Sequence, residues 1–385
     1  MTAPTELRRI RERLIDEMQR ISLLCLAGAL ALASCGTPTP TVGKRDNPSE
    51  IGNGRIAFVG VNANDYVIDV VSGDGTGWRT LTQPDASGEY DLAPTWSPDG
   101  NRVAFLRYSN LDGDGMGDYE LFVTGSDGSN PASFTQDKGA TNPAWSPDGE
   151  FIAFDRTEKE HGAFRSHLFV IRADGTGERR ITEDSFNDYS PVWSPDGSRL
   201  AFERYAADGE VDIYTIASDG TELQQLTQTS GYDGDAAWSP DGTKIAFVHW
   251  KGGGHRVYVM DADGSNRRIL ADPSGAEVVA PVWSPDGSTI AFQLYEGGDW
   301  DILLVGVDSS ELTRVTDDRG DETEPEWSPD GKLIAYYSSE VPSSERDNSG
   351  TFDVFVIEPD GSGKKRLTER AGALGAGLSW QSRSP

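Results

Sequence analysis

Cysteine is nearly absent from these 385 residues. Cys25 and Cys35 are the two present, and both precede residue 36, so the remainder has neither a disulfide framework nor a thiol nucleophile. Histidine is also scarce: His161, His167, His249 and His255 are the whole set. They form no His-x-His or HExxH spacing, and no GxSxG elbow occurs, which removes the common signatures of zinc and serine hydrolysis. Positive charge is the third shortage. Lys and Arg number 34 against 63 Asp and Glu, for a formal net charge of -29. Such a field repels phosphate backbones and anionic lipid surfaces, which argues against a nucleic-acid partner. Long apolar runs are missing too, apart from residues 21–33, which are too few to cross a bilayer comfortably.

What is abundant is turn chemistry. With 44 Gly, 21 Pro and 36% hydrophobic residues, the composition favours many short strands packed into one sizeable all-β core. The one apolar run follows a basic segment and ends at Leu32-Ala33-Ser34-Cys35. Basic segment, apolar segment, small residues and cysteine, in that order, read as a secretory signal with a lipobox. Residues 1–34 are thus expected to be a lipoprotein signal peptide, with translation starting at Met1 or at Met18. Cys35 is the expected lipidation site, and the acyl chains are the only membrane contact expected. A plain signal peptide with an incidental cysteine is the competing reading. Residues 35–53, rich in Pro, Thr, Gly and Asn, are expected to be a flexible tether, and residues 54–385 the folded domain.

The folded part is a repeat. WSPDG recurs at Trp96, Trp145, Trp193, Trp238, Trp283 and Trp327, and a degenerate WQSRS begins at Trp380. The spacings of 49, 48, 45, 45, 44 and 53 residues match one four-stranded propeller blade. In Ser-Pro-Asp-Gly, proline presets φ, aspartate suits the next turn position and glycine accepts a left-handed conformation. A hairpin therefore joins each tryptophan strand to the Ile-Ala-Phe run that follows. A third strand, an Asp-Gly turn and a fourth strand carrying Leu-Thr or a relative complete each unit. Ile56-Ala57-Phe58 precedes every tryptophan, and Leu378-Ser379-Trp380 stands alone at the far end. The sequence thus predicts an all-β, single seven-bladed β-propeller of four-stranded antiparallel blades, the first blade completed by the C-terminal strand. An open solenoid is the alternative.

The blades carry Pro-x-Trp-Ser-Pro-Asp-Gly-x-x-Ile-Ala-Phe at Pro94, Pro143, Pro191, Pro281 and Pro325, which resembles the TolB-like family of WD-type propeller repeats. The resemblance covers residues 54–382. It implies work in the bacterial cell envelope, with the propeller mouth gripping a protein partner; a monomer, exported to the periplasmic or cell-surface side, is expected. Oligogalacturonate lyases and prolyl oligopeptidases carry related propellers. The former need a histidine-lined metal site and the latter a hydrolase domain, and neither is legible in this sequence. The expectation is therefore a binding or scaffolding module and not an enzyme. A glycan-binding or glycan-cleaving surface protein is the alternative, with Trp250 and His255 as its candidate contacts.

Two acidic features stand out. Asn110, Asp112, Asp114 and Asp118, with the Met116 carbonyl, have the spacing of a calcium loop, and an ordinary acidic hairpin is the competing reading. No EF-hand is implied, because Leu121 stands where its glutamate would fall. Glu89, Asp91, Asp188, Asp233, Asp235, Glu277, Asp321, Glu322 and Glu324 all lie in segments entering the tryptophan strands. If those strands are innermost, these acids surround one mouth and would receive a basic segment of an envelope protein. Solvated loop acids are the bland alternative. The tryptophans beside each turn are read as packing between blades and not as sugar platforms. Trp78, Trp250 and Trp300 fall outside that position and are candidates for exposed contacts.

Overall fold

The computed structural model describes residues 54–62, 65–84, 89–109, 118–135, 139–160, 162–339, 352–369 and 377–381. The leader, Cys35, the tether, Asn110, Asp112, Asp114 and Met116 lie outside the described residues. Asp118 opens the strand Asp118–Gly125.

Every regular element among the described residues is a β-strand, and each sequence unit forms four strands paired antiparallel in chain order. Blades 2 to 7 begin with Tyr90–Trp96, Ala140–Trp145, Asn187–Trp193, Tyr232–Trp238, Glu277–Trp283 and Glu322–Trp327. Blades 4 and 5 are also linked by one parallel bridge, Val211 to Tyr232. Blade 1 takes its first strand, Leu378–Trp380, from the other end of the sequence. Trp380, Ser379 and Leu378 lie opposite Ile56, Ala57 and Phe58. These first strands touch one another in order, with Leu378–Trp380 lying between Glu322–Trp327 and Tyr90–Trp96, and so form the inner ring.

The Ile-Ala-Phe strand explains how the ring is built. Ile56, Ala57 and Phe58, and their counterparts through Ile334, Ala335 and Tyr336, are all 0% exposed, so this strand is covered on both faces. Successive side chains point to opposite faces, and one strand therefore feeds two blade interfaces. Ile56 and Phe58 pack with Val354, Val356 and Leu367 of blade 7, whereas Ala57 and Val59 pack with Leu92, Trp96 and Phe105 of blade 2. The same division recurs around the molecule. The core is a set of interblade layers, and the layer joining blade 7 to blade 1 closes the circle.

Each recurring letter has a local task. In the blade 4 turn, Ser194 Oγ donates to Asp196 Oδ1 (2.6 Å) and accepts from Arg199 N (3.0 Å). Hydrogen bonds from the Ser194 hydroxyl and the Ser198 amide hold the Asp196 carboxyl below its ordinary range. Gly197 has φ 69, a conformation that a Cβ would strain. The threonine of Leu-Thr accepts from the third strand, as Thr82 Oγ1 does from Ile68 N (2.9 Å) and Thr227 Oγ1 from Ile213 N (2.9 Å). The repeat tryptophans are interblade groups, as expected. Trp145, Trp193 and Trp283 donate their indole N–H to Thr95, Ala144 and Ala237 carbonyls of the preceding blade, at 3.2, 3.0 and 2.9 Å.

Candidate functional site

The inner strands share a kink three residues before the tryptophan. Ala93, Asn142, Ser190, Asp235, Ala280 and Glu324 have φ between 51 and 55, and Gly377 has φ 109. A residue with a Cβ pays roughly 1–2 kcal/mol for this left-handed conformation, so it persists only where its surroundings enforce it. The strand ladder slips there by one position, for example between Leu92 and Thr95 in blade 2 and between Gly234 and Ala237 in blade 5. The freed amides are taken up by carboxylates. Asp155 Oδ1 accepts from Ser190 N (3.0 Å), Glu203 Oε1 from Asp235 N (2.9 Å), Asp235 Oδ2 from Ala280 N (3.0 Å) and Glu324 Oε2 from Gly377 N (2.9 Å). Each of these bonds crosses from one blade to the next.

Beside this belt is an open cavity of about 540 Å³ lined by residues of blades 4 to 7. Its apolar wall includes Trp193, Trp238 and Trp283, and its carboxylates are Glu203, Asp235 and Glu326. No Lys, Arg or His lines it. Burial dominates the electrostatics. It pushes the Glu203 carboxyl up to about 7, with the neighbouring Asp235 charge adding to the rise, and it raises Asp235 as well. Glu326 is pushed up to about 7 by burial alone, and Glu324, two residues away, to about 8 although the Gly377 amide opposes the shift. The cavity can therefore desolvate a cationic or hydrogen-bond-donating group against three acids and stack its carbon skeleton on indole rings.

The placement of the nine entry-segment acids requires a correction. Asp91, Asp188 and Asp233 are fully buried and do not face an open mouth. Asp91 receives Arg107 Nε and Nη2 at 2.7 and 2.9 Å, and Asp188 receives the same two nitrogens of Arg204 at the same distances. Asp233 is bonded to His249 Nδ1 (2.6 Å) and Thr229 Oγ1 (2.7 Å). The reason is register, because five residues before the tryptophan lies directly opposite two residues after the Ile-Ala-Phe phenylalanine. Asp321 and Glu322 are buried as well. Asp321 accepts from Trp300 N (3.1 Å), and Glu322 accepts from Ser338 Oγ (2.8 Å) while burial pushes its carboxyl up to about 8. Glu89 is half-buried and Glu277 exposed. Of the nine, Asp235 alone lines the cavity.

Glu203 and Glu326 were not singled out from the sequence. Aligning the repeats on tryptophan would have exposed them, since Glu326 stands where the other units have Thr95, Ala144, Val192, Ala237, Val282 and Ser379. At the hairpin of blade 5, Trp250 lies opposite His255 with ring centroids 5.7 Å apart. Burial lowers the His255 pKa. Trp250 and Trp300 are half-buried, and Trp78 is exposed with its indole N–H on Asp69 Oδ2 (3.0 Å). Among the described residues no three His, Cys, Asp or Glu side chains are grouped to hold a metal ion.

Interblade layers, a closed inner ring and a cavity lined by three carboxylates define a repeat propeller. The model of the TolB beta propeller domain matches residues 50–205, 112–275 and 265–377, and the chain belongs to that family. No curated protein sequence matches it. Among solved structures it is similar to TolB from Acinetobacter baumannii, with TM-score 0.53 and 18% identity over 85% of this chain and 82% of that one. It is also similar to an oligogalacturonate lyase from Vibrio parahaemolyticus, with TM-score 0.59 and 16% identity over 83% and 87%. A Mycobacterium tuberculosis puromycin-hydrolyzing peptidase aligns with TM-score 0.57 and 17% identity over 72% of this chain and 46% of the peptidase. At such identities these likenesses establish the fold.

Proposed function

We propose that the protein is an exported cell-envelope lipoprotein, anchored through Cys35, whose propeller binds a protein partner by taking one of its basic segments into the cavity. The observation that carries this reading is the cavity itself: Glu203, Asp235 and Glu326 line it with no cationic side chain among its lining residues, under three indole rings. An incoming Lys or Arg supplies the missing charge, and its aliphatic stem covers the tryptophans. The Leu32-Ala33-Ser34-Cys35 sequence after an apolar run supports export and anchoring. The family and the absence of common hydrolase signatures from the sequence favour a binding module over a catalyst.

The test is crosslinking of the lipidated protein in its native envelope, followed by mass spectrometry of what it captures. One dominant protein is expected, released by added salt and lost when Glu326→Lys places a positive charge in the cavity. Capture of nothing, or capture indifferent to Glu326→Lys, overturns the reading and favours the glycan alternative.

A further inference from the structure

The joint between blade 7 and blade 1 differs in kind from the other six. Elsewhere, the inner strand of a blade continues through a WSPDG turn into its Ile-Ala-Phe strand, so each blade holds its inner strand covalently. In blade 1 the inner strand Leu378–Trp380 has no such turn to Arg55–Asn62 and meets it through three register pairs. Three side chains reinforce it: Tyr337 and Gln381 have no counterpart in the other units, and Glu324 makes to Gly377 the bond that Asp235 makes to Ala280.

Tyr337 occupies the site held by Val59, Leu106, Asp155, Glu203, Val248 and Gln293 in the other units. Its hydroxyl donates to Gly377 O (2.9 Å) and accepts from Val59 N (3.1 Å), bridging blade 7, the borrowed strand and blade 1. Gln381 stands where each WSPDG has serine. Its amide N donates to Arg55 O (2.7 Å), its Oε1 accepts from Arg55 Nε (3.1 Å) and its Nε2 donates to Gly100 O in the blade 2 turn (2.7 Å). Glu324 completes the set by accepting the Gly377 amide (2.9 Å). Gly377 is required where it is, because a Cβ there would meet Ala93 Cα at 2.7 Å.

We propose that Glu324, Tyr337 and Gln381 form a latch that replaces the missing covalent link, so that the ring opens at this joint before any other. Opening there releases Leu378–Trp380, uncovers the edge of Arg55–Asn62 and leaves a gap in the inner ring between Glu322–Trp327 and Tyr90–Trp96. The latch is independent of which ligand the cavity takes.

Native-state hydrogen exchange of the full chain, read by mass spectrometry, tests it. In the wild-type protein, amides of Leu378–Gln381 and Ile56–Val59 should exchange together through a shared opening, ahead of the equivalent strands Ile152–Phe154 and Ile245–Phe247. Tyr337→Phe and Gln381→Ala should each accelerate the first group about tenfold, the effect of losing about 1.4 kcal/mol, and leave the second unchanged. Glu324→Gln, which still accepts the Gly377 amide, should stay near wild type while Glu324→Leu opens the joint. Exchange at the same rate in all blades of the wild type, or acceleration spread evenly around the ring in the variants, overturns the proposal.

Discussion

Five residues before the repeat tryptophan, the acids Asp91, Asp188 and Asp233 face Arg107, Arg204 and His249 across a strand pair, at 2.6 to 2.9 Å. Two residues further along, Asp235 and Glu324 meet backbone amides of the next blade, and Glu203 receives an amide beside them. Both belts are acidic and withdrawn from water. In the first, burial raises the Asp91 and Asp188 carboxyls while the guanidinium groups of Arg107 and Arg204 oppose the rise. In the second only amide and hydroxyl donors oppose burial, and Glu203 and Glu324 rise to about 7 and about 8. What an acid contributes is thus set by what its strand register places opposite it, and a charge count alone could not separate the two belts.

Removing a cation from the first belt should have the largest effect. Arg204→Leu leaves Asp188 buried without its cation and should cost about 3–5 kcal/mol by chemical denaturation. Arg204→Leu combined with Asp188→Asn should recover part of that loss. A double variant no more stable than the single would show that the guanidinium acts through packing on Phe202 and Tyr214, and not through charge.

The second belt should respond to pH in the opposite sense to most carboxylates. Glu203, Glu324 and Glu326 rise to about 7, 8 and 7 in the folded protein, above the ordinary value of about 4.3 expected when unfolded. Between those values the folded state holds protons that the unfolded chain has released. Their contribution to stability is complete below about pH 4 and is lost as pH rises through about 7 to 8. The thermal midpoint should therefore fall between about pH 5 and pH 8.5. Glu326→Gln, a neutral isostere, should flatten that slope and stabilise the protein by about 1–2 kcal/mol at about pH 8. A midpoint that climbs over this range would contradict the burial-driven shifts. At the small end, Glu277→Gln on the exposed rim should change stability by less than about 0.5 kcal/mol, read in the same denaturation experiment.

Much of this molecule was legible before any coordinates. Six WSPDG copies mark the hairpins, the unpaired Ile56-Ala57-Phe58 and Leu378-Ser379-Trp380 fragments predict their own pairing, and the turn tryptophans read correctly as interblade groups. The site was far less legible. Asp91 and Asp235 look alike in sequence, each an acid entering a tryptophan strand, yet one is locked to Arg107 and the other lines a cavity. Glu326 and Glu203 were overlooked because they sit inside strands and not in the entry segments.

The sequence by itself determined the unit, its turns, the sidedness of the Ile-Ala-Phe strand and the borrowing that closes the ring. Those depend on neighbours within one blade, and the period writes them out seven times. Tertiary structure alone decided which acids accept an amide from the next blade and which line the cavity. Those partners lie across blade junctions, from Asp155 to Ser190 and from Glu324 to Gly377. There the meeting of two residues depends on the radius and stagger of the assembled ring, quantities no single repeat contains.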